Sequence, residues 1–232
     1  QFTRAANLLM MLLGAMGAVG GTFSDFKWTV HKNYKALDEV KVKDPPYNIA
    51  LKDSKYFPIN SANPSVVARV MLNPQKYGVD YTPEVLIIHM ANPLVSFADQ
   101  PAYMESYKKY KFIAVIDPRI SETADYFADV VLPAATMEKY EGPMSVGTAD
   151  EDAVTLRIPP MDPLYQSRGD IDIYLDLCEK AGILYGEKGY LAELNKALSL
   201  TKAYQLDVNK KPAVRDIFDR WAKSQGIEEG VA

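Results

Sequence analysis

The chain has 232 residues, of which 48% are hydrophobic and 24% charged, and its formal net charge is −4. This composition excludes a disordered polypeptide and predicts a globular protein with a substantial core. Its 26 basic residues are scattered among 30 acidic ones, which excludes a general affinity for nucleic acid. The single cysteine, Cys178, lies in an apolar helical pattern and is predicted to be a small buried thiol. One cysteine excludes an intramolecular disulfide, and it also excludes a cysteine-bound zinc or iron–sulfur site built from this chain alone.

The N-terminal segment combines an apolar run at residues 8–13 with glycines at positions 14, 17, 20 and 21. This spacing predicts a helix over residues 4–15 that the glycines end. A signal peptide or a membrane span is an alternative, but the run is nearer in length to a buried helix than to the ~20 residues that a span needs. We therefore expect a buried helix closing on a glycine turn. The chain has no initiator Met and is expected to begin within a longer protein.

A repeating pattern of strands and helices follows. Residues 22–64 lack periodicity and are predicted to form a long irregular connection, after which Asn63-Pro64-Ser65 begins a helix that stops near Asn73-Pro74. Apolar runs at residues 85–90, 112–116 and 129–132 alternate with segments of helical spacing at 101–110 and 121–127. Strands that are apolar on both sides and alternate with helices over short loops are typical of a parallel sheet with right-handed crossovers.

The C-terminal part is predicted to be mainly helical. A loop rich in Glu, Gly and Pro leads to a short strand over residues 154–158, and helices are predicted over 170–181, 190–200 and 213–224. The predicted fold class is therefore α/β, a parallel sheet with flanking helices and a helical C-terminal extension. We assign residues 1–185 to the α/β domain and 186–232 to the extension, whose role the sequence does not identify.

Polar residues follow the predicted strands at the edge where ligands bind. In an open parallel sheet, loops and free helix amides converge at the carboxyl ends of the strands. Asp117 ends the second strand and can accept paired hydrogen bonds from a purine or a ribose. Ser121 and Thr123 can cap the next helix or donate to a phosphate. Each of these loops alone is more often an ordinary turn or cap that only supports the fold than a ligand site, but the presence of two such loops at adjacent strand ends lowers those odds.

Motifs for other chemistries are absent from the sequence. No G-x-G-x-x-G follows a strand, which weighs against an NAD or FAD fold, and the lack of G-x-x-x-x-G-K-[ST] excludes a P-loop. His31 and His89 have no cysteine or carboxylate at metal-ligand spacing, and His89 is predicted to be a satisfied core residue. Glu138 and Glu141 are as compatible with a solvated surface as with an acid and base pair. The pattern indicates binding without catalytic groups.

Short motifs in a fixed order carry a resemblance to a known family: Ala91-Asn92-Pro93, Val115-Ile116-Asp117-Pro118, Glu122-Thr123-Ala124, Ala128-Asp129-Val130-Val131-Leu132-Pro133 and Glu141-Gly142. Together with the Leu- and Gly-rich N-terminus and the helix near residues 168–182, they resemble the molybdopterin oxidoreductases of the dimethyl sulfoxide reductase family. In that family this region is an α/β domain with Rossmann-like dinucleotide-binding topology. It holds the guanosine diphosphate part of one of two molybdopterin guanine dinucleotide cofactors.

The resemblance implies a set of cofactor-binding residues. Ala91, Asn92 and Pro93 are expected to lie close to the phosphates or ribose of the cofactor. Asp117 is expected to contact the guanine or ribose edge, with support from Ser121. The set is completed by the neighbours of these residues and by one acid further along the chain: Pro118, Glu122, Thr123 and Asp170. No catalytic residue and no metal ligand is expected within this chain.

The resemblance also implies a larger enzyme. Family members carry a [4Fe–4S] cluster and a Ser, Cys or selenocysteine ligand to molybdenum or tungsten upstream of this region, and a β-barrel domain after it. The chain is therefore expected to be an internal fragment, inactive alone, of a catalytic subunit that performs two-electron redox or oxygen-atom transfer on a small substrate. An iron–sulfur electron-transfer subunit and the remaining domains of the same chain are the expected partners. The alternative is a non-catalytic nucleotide-binding or structural module derived from that family.

Overall fold

The computed structural model describes residues 2–15, 49–58, 63–148 and 151–227 of the chain. Its elements in chain order are α1 (Phe2–Leu12), α2 (Pro64–Leu72), β1 (Val85–His89), α3 (Pro93–Ser96), α4 (Gln100–Tyr107), β2 (Phe112–Asp117), α5 (Glu122–Phe127), β3 (Val130–Pro133), β4 (Glu141–Thr148), β5 (Glu151–Arg157), α6 (Asp170–Lys180), α7 (Tyr190–Ala197) and α8 (Val214–Ser224). Short 3₁₀ helices lie at Gln75–Tyr77 and Lys202–Tyr204.

A three-stranded parallel sheet in the order β1–β2–β3 forms the centre of the α/β part. Val85 lies opposite Phe112, and Ala114 lies opposite Val130, so both strand pairs are parallel as the alternating pattern predicts. The α/β class, the parallel sheet and the flanking helices are thereby confirmed. Because neighbouring strands run in the same direction, their carboxyl ends meet at one edge, where α3 and α5 begin.

Helices from the crossovers cover one face of this sheet. The side chains that pack there come from β1, β2 and four helices: Ala68, Ile88, Leu94, Tyr103, Tyr107, Ile113, Val115 and Ala124. The helix α2 begins where the sequence indicates, since the Asn63 side chain accepts from the Ser65 N–H at 3.0 Å and Pro64 occupies the first turn. This packing fixes the loops that follow β1 and β2.

The opposite face is covered only over its carboxyl half by the part of the chain that the structure describes. There Ile116 packs with Ile173 of α6 and with Ala134. Towards the amino ends, Val85 is 55% exposed and Ile87 is 48% exposed. The prediction of strands buried on both faces is therefore wrong for this half, because an apolar run does not show whether the same chain supplies a cover for each side.

The helices after β5 build a second core on the outer side of α6. This core contains Leu175, Leu184, Leu191, Leu198, Leu200, Leu206, Val214, Ile217, Phe218 and Trp221. The helices α7 and α8 lie where the sequence predicts them. Cys178 is half-buried beside this core, and burial raises the pKa of its thiol, as expected for a packed rather than a reactive cysteine.

Two further elements differ from expectation. The strands β4 and β5 form an antiparallel hairpin, of which the sequence predicted only the second strand, because the Gly and Pro residues of β4 are unfavourable in strands. The helix α1 is present and Gly14 follows it in a left-handed conformation, but Leu8 and Leu12 are exposed, so the expected burial of this helix is wrong.

In the described ranges, no helix combines the length and apolarity that a membrane crossing requires. Most of the predicted irregular connection, including His31, lies outside those ranges.

Candidate nucleotide site at the carboxyl edge of the sheet

The loops after β1 and β2 border an open cleft of about 380 Å³. Its lining residues are Met90, Ala91, Asn92, Asp117, Arg119, Ile120, Ser121 and Glu122. Small-molecule sites in proteins occupy roughly 300–1,000 Å³, so the cleft is large enough for part of a ligand. The structure thus brings together five of the residues predicted from the sequence, and they come from two loops at adjacent strand ends.

Asn92 joins these two loops through its side chain. Its Oδ1 accepts from the N–H and the hydroxyl of Thr123, at 3.3 and 2.8 Å, and its Nδ2 donates to Glu122 Oε2 at 2.5 Å. The Thr123 hydroxyl also accepts from the Leu94 N–H at 3.2 Å. We call Asn92, Leu94, Glu122 and Thr123 the Asn92 latch. Thr123 is fully buried within it, so its role is to hold the loops rather than to contact a ligand.

The latch also fixes the charge of Glu122 at the rim of the cleft. Its own backbone N–H and then the Asn92 amide lower the pKa of the Glu122 carboxyl. Hydrogen bonds to a carboxylate favour its ionised form, so Glu122 is negative at neutral pH. The cleft therefore has two carboxylates, Glu122 and Asp117, beside the guanidinium of Arg119.

Asp117 has one carboxylate oxygen available to a ligand. Its Oδ1 accepts from the Arg119 N–H at 2.9 Å, in a turn that begins at the last residue of β2. Its Oδ2 has no hydrogen-bond partner within the described part of the chain, and the side chain lines the cleft. A carboxylate held in this way presents acceptor lone pairs in a fixed direction. Asp117 is therefore the group in the cleft best suited to recognise a hydrogen-bond donor.

Ser121 and the prolines take different positions. The Ser121 hydroxyl oxygen accepts from the Ala124 N–H at 3.3 Å and caps α5, as predicted, while its hydrogen remains able to donate. Pro93 is buried in the first turn of α3. Pro118 faces a neighbouring cleft of about 410 Å³ near Ala134 and Thr136. Pro93 and Pro118 thus shape the loops without lining the candidate site.

Asp170 lies outside the cleft and has internal partners. It is the first residue of α6, and its Oδ1 is 3.1 Å from His89 Nε2 while its Oδ2 forms an ion pair with Lys139. His89 is hydrogen-bonded as predicted, but it lies partly exposed at the end of an edge strand rather than in the core. Three lining residues, Met90, Arg119 and Ile120, were not predicted, although each is a neighbour of a predicted residue in the sequence.

The cleft carries side chains that can hydrogen-bond to a ligand or pair with its charge. It offers the acceptor of Asp117, the hydroxyl donor of Ser121 and the cationic guanidinium of Arg119. This donor and acceptor set matches a nucleotide, whose base and ribose carry N–H and O–H donors and whose phosphates are anionic. Among the residues that the structure describes, no three His, Cys, Asp or Glu side chains are grouped as metal ligands.

The chain is similar in sequence to known proteins of one family. The family model for molybdopterin oxidoreductases matches residues 1–180. The chain is 32% identical over 123 residues to the dimethyl sulfoxide/trimethylamine N-oxide reductase of Cereibacter sphaeroides, a match that covers 50% of this chain and 15% of that protein. It is 24% identical over 190 residues to the enzyme of the same name from Rhodobacter capsulatus, covering 75% and 22%.

A solved structure is also similar. Acetylene hydratase from Pelobacter acetylenicus matches 77% of this chain and 21% of its own, with a TM-score of 0.44 and 13% sequence identity. The matched region thus amounts to about a fifth of the length of these larger proteins.

Proposed function

Because the chain belongs to the molybdopterin oxidoreductase family, we propose that its cleft binds the guanosine diphosphate part of a molybdopterin guanine dinucleotide cofactor. The observation that carries this proposal is the position of Asp117, whose free carboxylate oxygen lines a cleft at the carboxyl edge of a parallel sheet. Nucleotides bind at this edge in open α/β sheets because loop and helix amides converge there.

The base is the part of the ligand that Asp117 can select. Guanine presents two adjacent donors, its ring N–H and its 2-amino group, and Asp117 can accept one on the free Oδ2 and the other on the second lone pair of Oδ1. Adenine has an acceptor nitrogen where guanine has the ring N–H, and a carboxylate does not donate to it. A charge-assisted pair of hydrogen bonds is stronger than a neutral one, so Asp117 favours guanine over adenine.

The remaining groups of the cleft suit the sugar and phosphates. Arg119 is exposed at the rim and can pair with a phosphate oxygen, while Ser121 can donate its hydroxyl hydrogen. The Asn92 latch satisfies the side chain of Asn92 internally, so that loop approaches a ligand through the backbone of Ala91 and Asn92. These contacts hold and orient the nucleotide, and they transfer no proton or electron.

The proposal extends to the longer enzyme of which this domain would be part. Its cofactor, with molybdenum or tungsten bound, supplies two-electron redox or oxygen-atom transfer on a small substrate. In such an enzyme the described cleft anchors one nucleotide end of the cofactor. A [4Fe–4S] cluster, an iron–sulfur partner subunit and the other domains of the chain complete the proposed assembly.

The test exchanges the hydrogen-bonding character of one side chain. Asp117→Asn keeps the shape and the acceptor for the Arg119 N–H, but turns an NH₂ donor towards the cleft. Xanthosine diphosphate has a carbonyl in place of the 2-amino group of guanine. We expect wild type to bind GDP in preference to ADP and xanthosine diphosphate, and Asp117→Asn to lose GDP and gain xanthosine diphosphate, measured by calorimetry and thermal shift.

The matched control is Asp125→Asn, which removes an exposed carboxylate from α5 away from the cleft and should change neither preference. At a GDP concentration of 100 times the Kd, binding adds about 2.7 kcal/mol to the free energy of unfolding, which gives a measurable rise in Tm. Equal binding of GDP and ADP by wild type, or retained GDP binding by Asp117→Asn, would show that Asp117 does not read a guanine base.

A further inference from the structure

Four residues behind the cleft form a closed ring of contacts. His89 Nε2 is 3.1 Å from Asp170 Oδ1, and Asp170 Oδ2 pairs with the ammonium of Lys139. Lys139 Nζ in turn donates to Met90 Sδ at 3.9 Å, and Met90 follows His89 in the chain. We call His89, Met90, Lys139 and Asp170 the Asp170 ring. It joins the end of β1, the segment after β3 and the start of α6.

Met90 is the member of the ring that reaches the nucleotide cleft. It lines the cleft and directly precedes Ala91. Its φ angle is +47°, in the left-handed region that a residue with a side chain seldom adopts and that costs free energy. The Met90 N–H donates to Ile116 O at 2.9 Å, so the backbone turns away immediately after its last bond to β2. The conformation of Met90 therefore sets the direction of the loop that holds Ala91 and Asn92.

Lys139 pairs with Asp170 from a buried position in the Asp170 ring. Its side chain is only 3% exposed, and a buried ammonium requires a paired charge. Asp170 is the carboxylate that pairs with it, and Asp170 is itself held by His89 and by its place at the first turn of α6, where a negative charge is favoured. Removing the charge of Asp170 would leave the buried ammonium of Lys139 without its anion and would so disturb its contact with Met90.

We propose that Asp170 is a positioning residue for the nucleotide cleft. It holds Lys139 against Met90 and so keeps Met90 in the left-handed conformation that directs residues 91–93 around the nucleotide. This inference rests on the proposed function, since it concerns the same cleft. It differs from the expectation that Asp170 contacts the cofactor, because both oxygens of Asp170 already bind internal partners.

The experiment combines a binding measurement with a local reporter. In protein labelled with ¹³C at the methionine methyl groups, the Met90 signal, assigned with Met90→Leu, reports the ring directly. Asp170→Asn should shift this signal and weaken GDP binding about tenfold, which corresponds to about 1.4 kcal/mol. Lys139→Leu, which places an apolar side chain in the buried position without adding a labelled methionine, should give the same two effects and serves if Asp170→Asn does not fold.

Two controls separate positioning from a purely structural role. Asp176→Asn breaks ion pairs of the same helix α6 with Arg168 and Lys211, and it should leave the Met90 signal and GDP affinity unchanged. Asp117→Asn should abolish GDP binding without shifting Met90. A lower Tm for Asp170→Asn with unchanged GDP affinity and an unchanged Met90 signal would overturn the inference, as would loss of GDP binding without a shift of Met90.

The two proposals fail in different ways. If wild type binds no GDP, the proposed function is wrong whatever Asp170 does. If wild type binds GDP and Asp117→Asn exchanges the base preference, the function stands, and only the response of the Met90 signal and of the GDP affinity to Asp170→Asn decides whether the ring positions the loop.

Discussion

The hydroxyl of Thr123 is the most informative single group for the architecture of the cleft. It is fully buried, donates to Asn92 Oδ1 at 2.8 Å and accepts from the Leu94 N–H at 3.2 Å. Thr123→Val keeps the shape of the side chain and removes both bonds. The Leu94 N–H is left buried without an acceptor, which costs about 1–3 kcal/mol. Asn92 Oδ1 still accepts from the Thr123 N–H at 3.3 Å, so the bond that Asn92 loses contributes less to the destabilisation than the unpaired Leu94 N–H.

We therefore expect Thr123→Val to lower the free energy of unfolding by about 2 kcal/mol, taking the middle of the range for an unsatisfied buried group. For a chain of this size, each kcal/mol lowers the Tm by about 2–4 °C, so the expected shift is about 4–8 °C. Urea unfolding gives the free energy and a thermal scan gives the Tm. The same variant should weaken GDP binding, because the two loops are then joined only by the bonds of Asn92 to the Thr123 N–H and to Glu122.

Two control variants define the comparison. Thr123→Ser keeps the hydroxyl and loses one methyl group, at a cost of about 0.8 kcal/mol. Thr201→Val removes an exposed hydroxyl that is 3.5 Å from Ser224 Oγ, and it should change stability by less than about 0.5 kcal/mol. If Thr123→Val proves as stable as Thr123→Ser, the buried hydroxyl does not hold the loops together.

Two further predictions concern the C-terminal helices. The Asn195 side chain accepts from the Leu206 N–H at 2.8 Å and donates to the Leu206 C=O at 3.1 Å, and Asn195→Ala leaves both of these buried groups without a side-chain partner. It should lower the free energy of unfolding, measured in urea, by about 2–4 kcal/mol. A loss no larger than that of the exposed Asn209→Ala would contradict this. Lys211 lowers the pKa of the Asp176 carboxyl, and the carboxylates of Asp176 and Glu179 raise the pKa of Lys211. Lys211→Met should lower stability at neutral pH by less than about 1 kcal/mol. The difference from wild type should begin to shrink as the pH falls below about 4, the ordinary pKa of an aspartate, and should be lost once the pH passes the lowered pKa of folded Asp176; it should also begin to shrink as the pH rises above about 10, the ordinary pKa of a lysine, towards the raised pKa of folded Lys211. A difference that stays constant across this pH range would show that the ion pair contributes nothing.

The elements that the sequence predicts well are those whose signal is local. The apolar runs of β1 and β2, the Asn63 cap of α2 and the Ser121 cap of α5 are all set by residues within a few positions of each other. The strand β4 is not predicted because its local signal is misleading. Its glycines and proline indicate a loop, whereas its pairing with β5 makes it a strand. Local preference is a weak guide when tertiary contacts decide.

The partners of the site residues could not be read in the same way. The sequence places Asn92 and Asp170 at strand and helix ends, but Asn92 binds a residue 31 positions away and Asp170 binds His89, 81 positions away. Whether a polar side chain is free for a ligand depends on such distant partners. Asp117 is the predicted residue for which position and a free acceptor coincide, because its own turn occupies one oxygen only.

The helix α6 contributes to two separate hydrophobic clusters. Ile173 packs towards the sheet beside Ile116, while Leu175 packs away from it among the leucines of the C-terminal helices. The same helix therefore forms the cover of the carboxyl half of the sheet and the floor of the second core. If α7 and α8 unfold locally, α6 loses the side chains that cover one of its faces, and Asp170 is the first residue of α6. Amide exchange along α6 should consequently report the integrity of both halves of the molecule at once, and a substitution distant from the cleft can reach it through this helix.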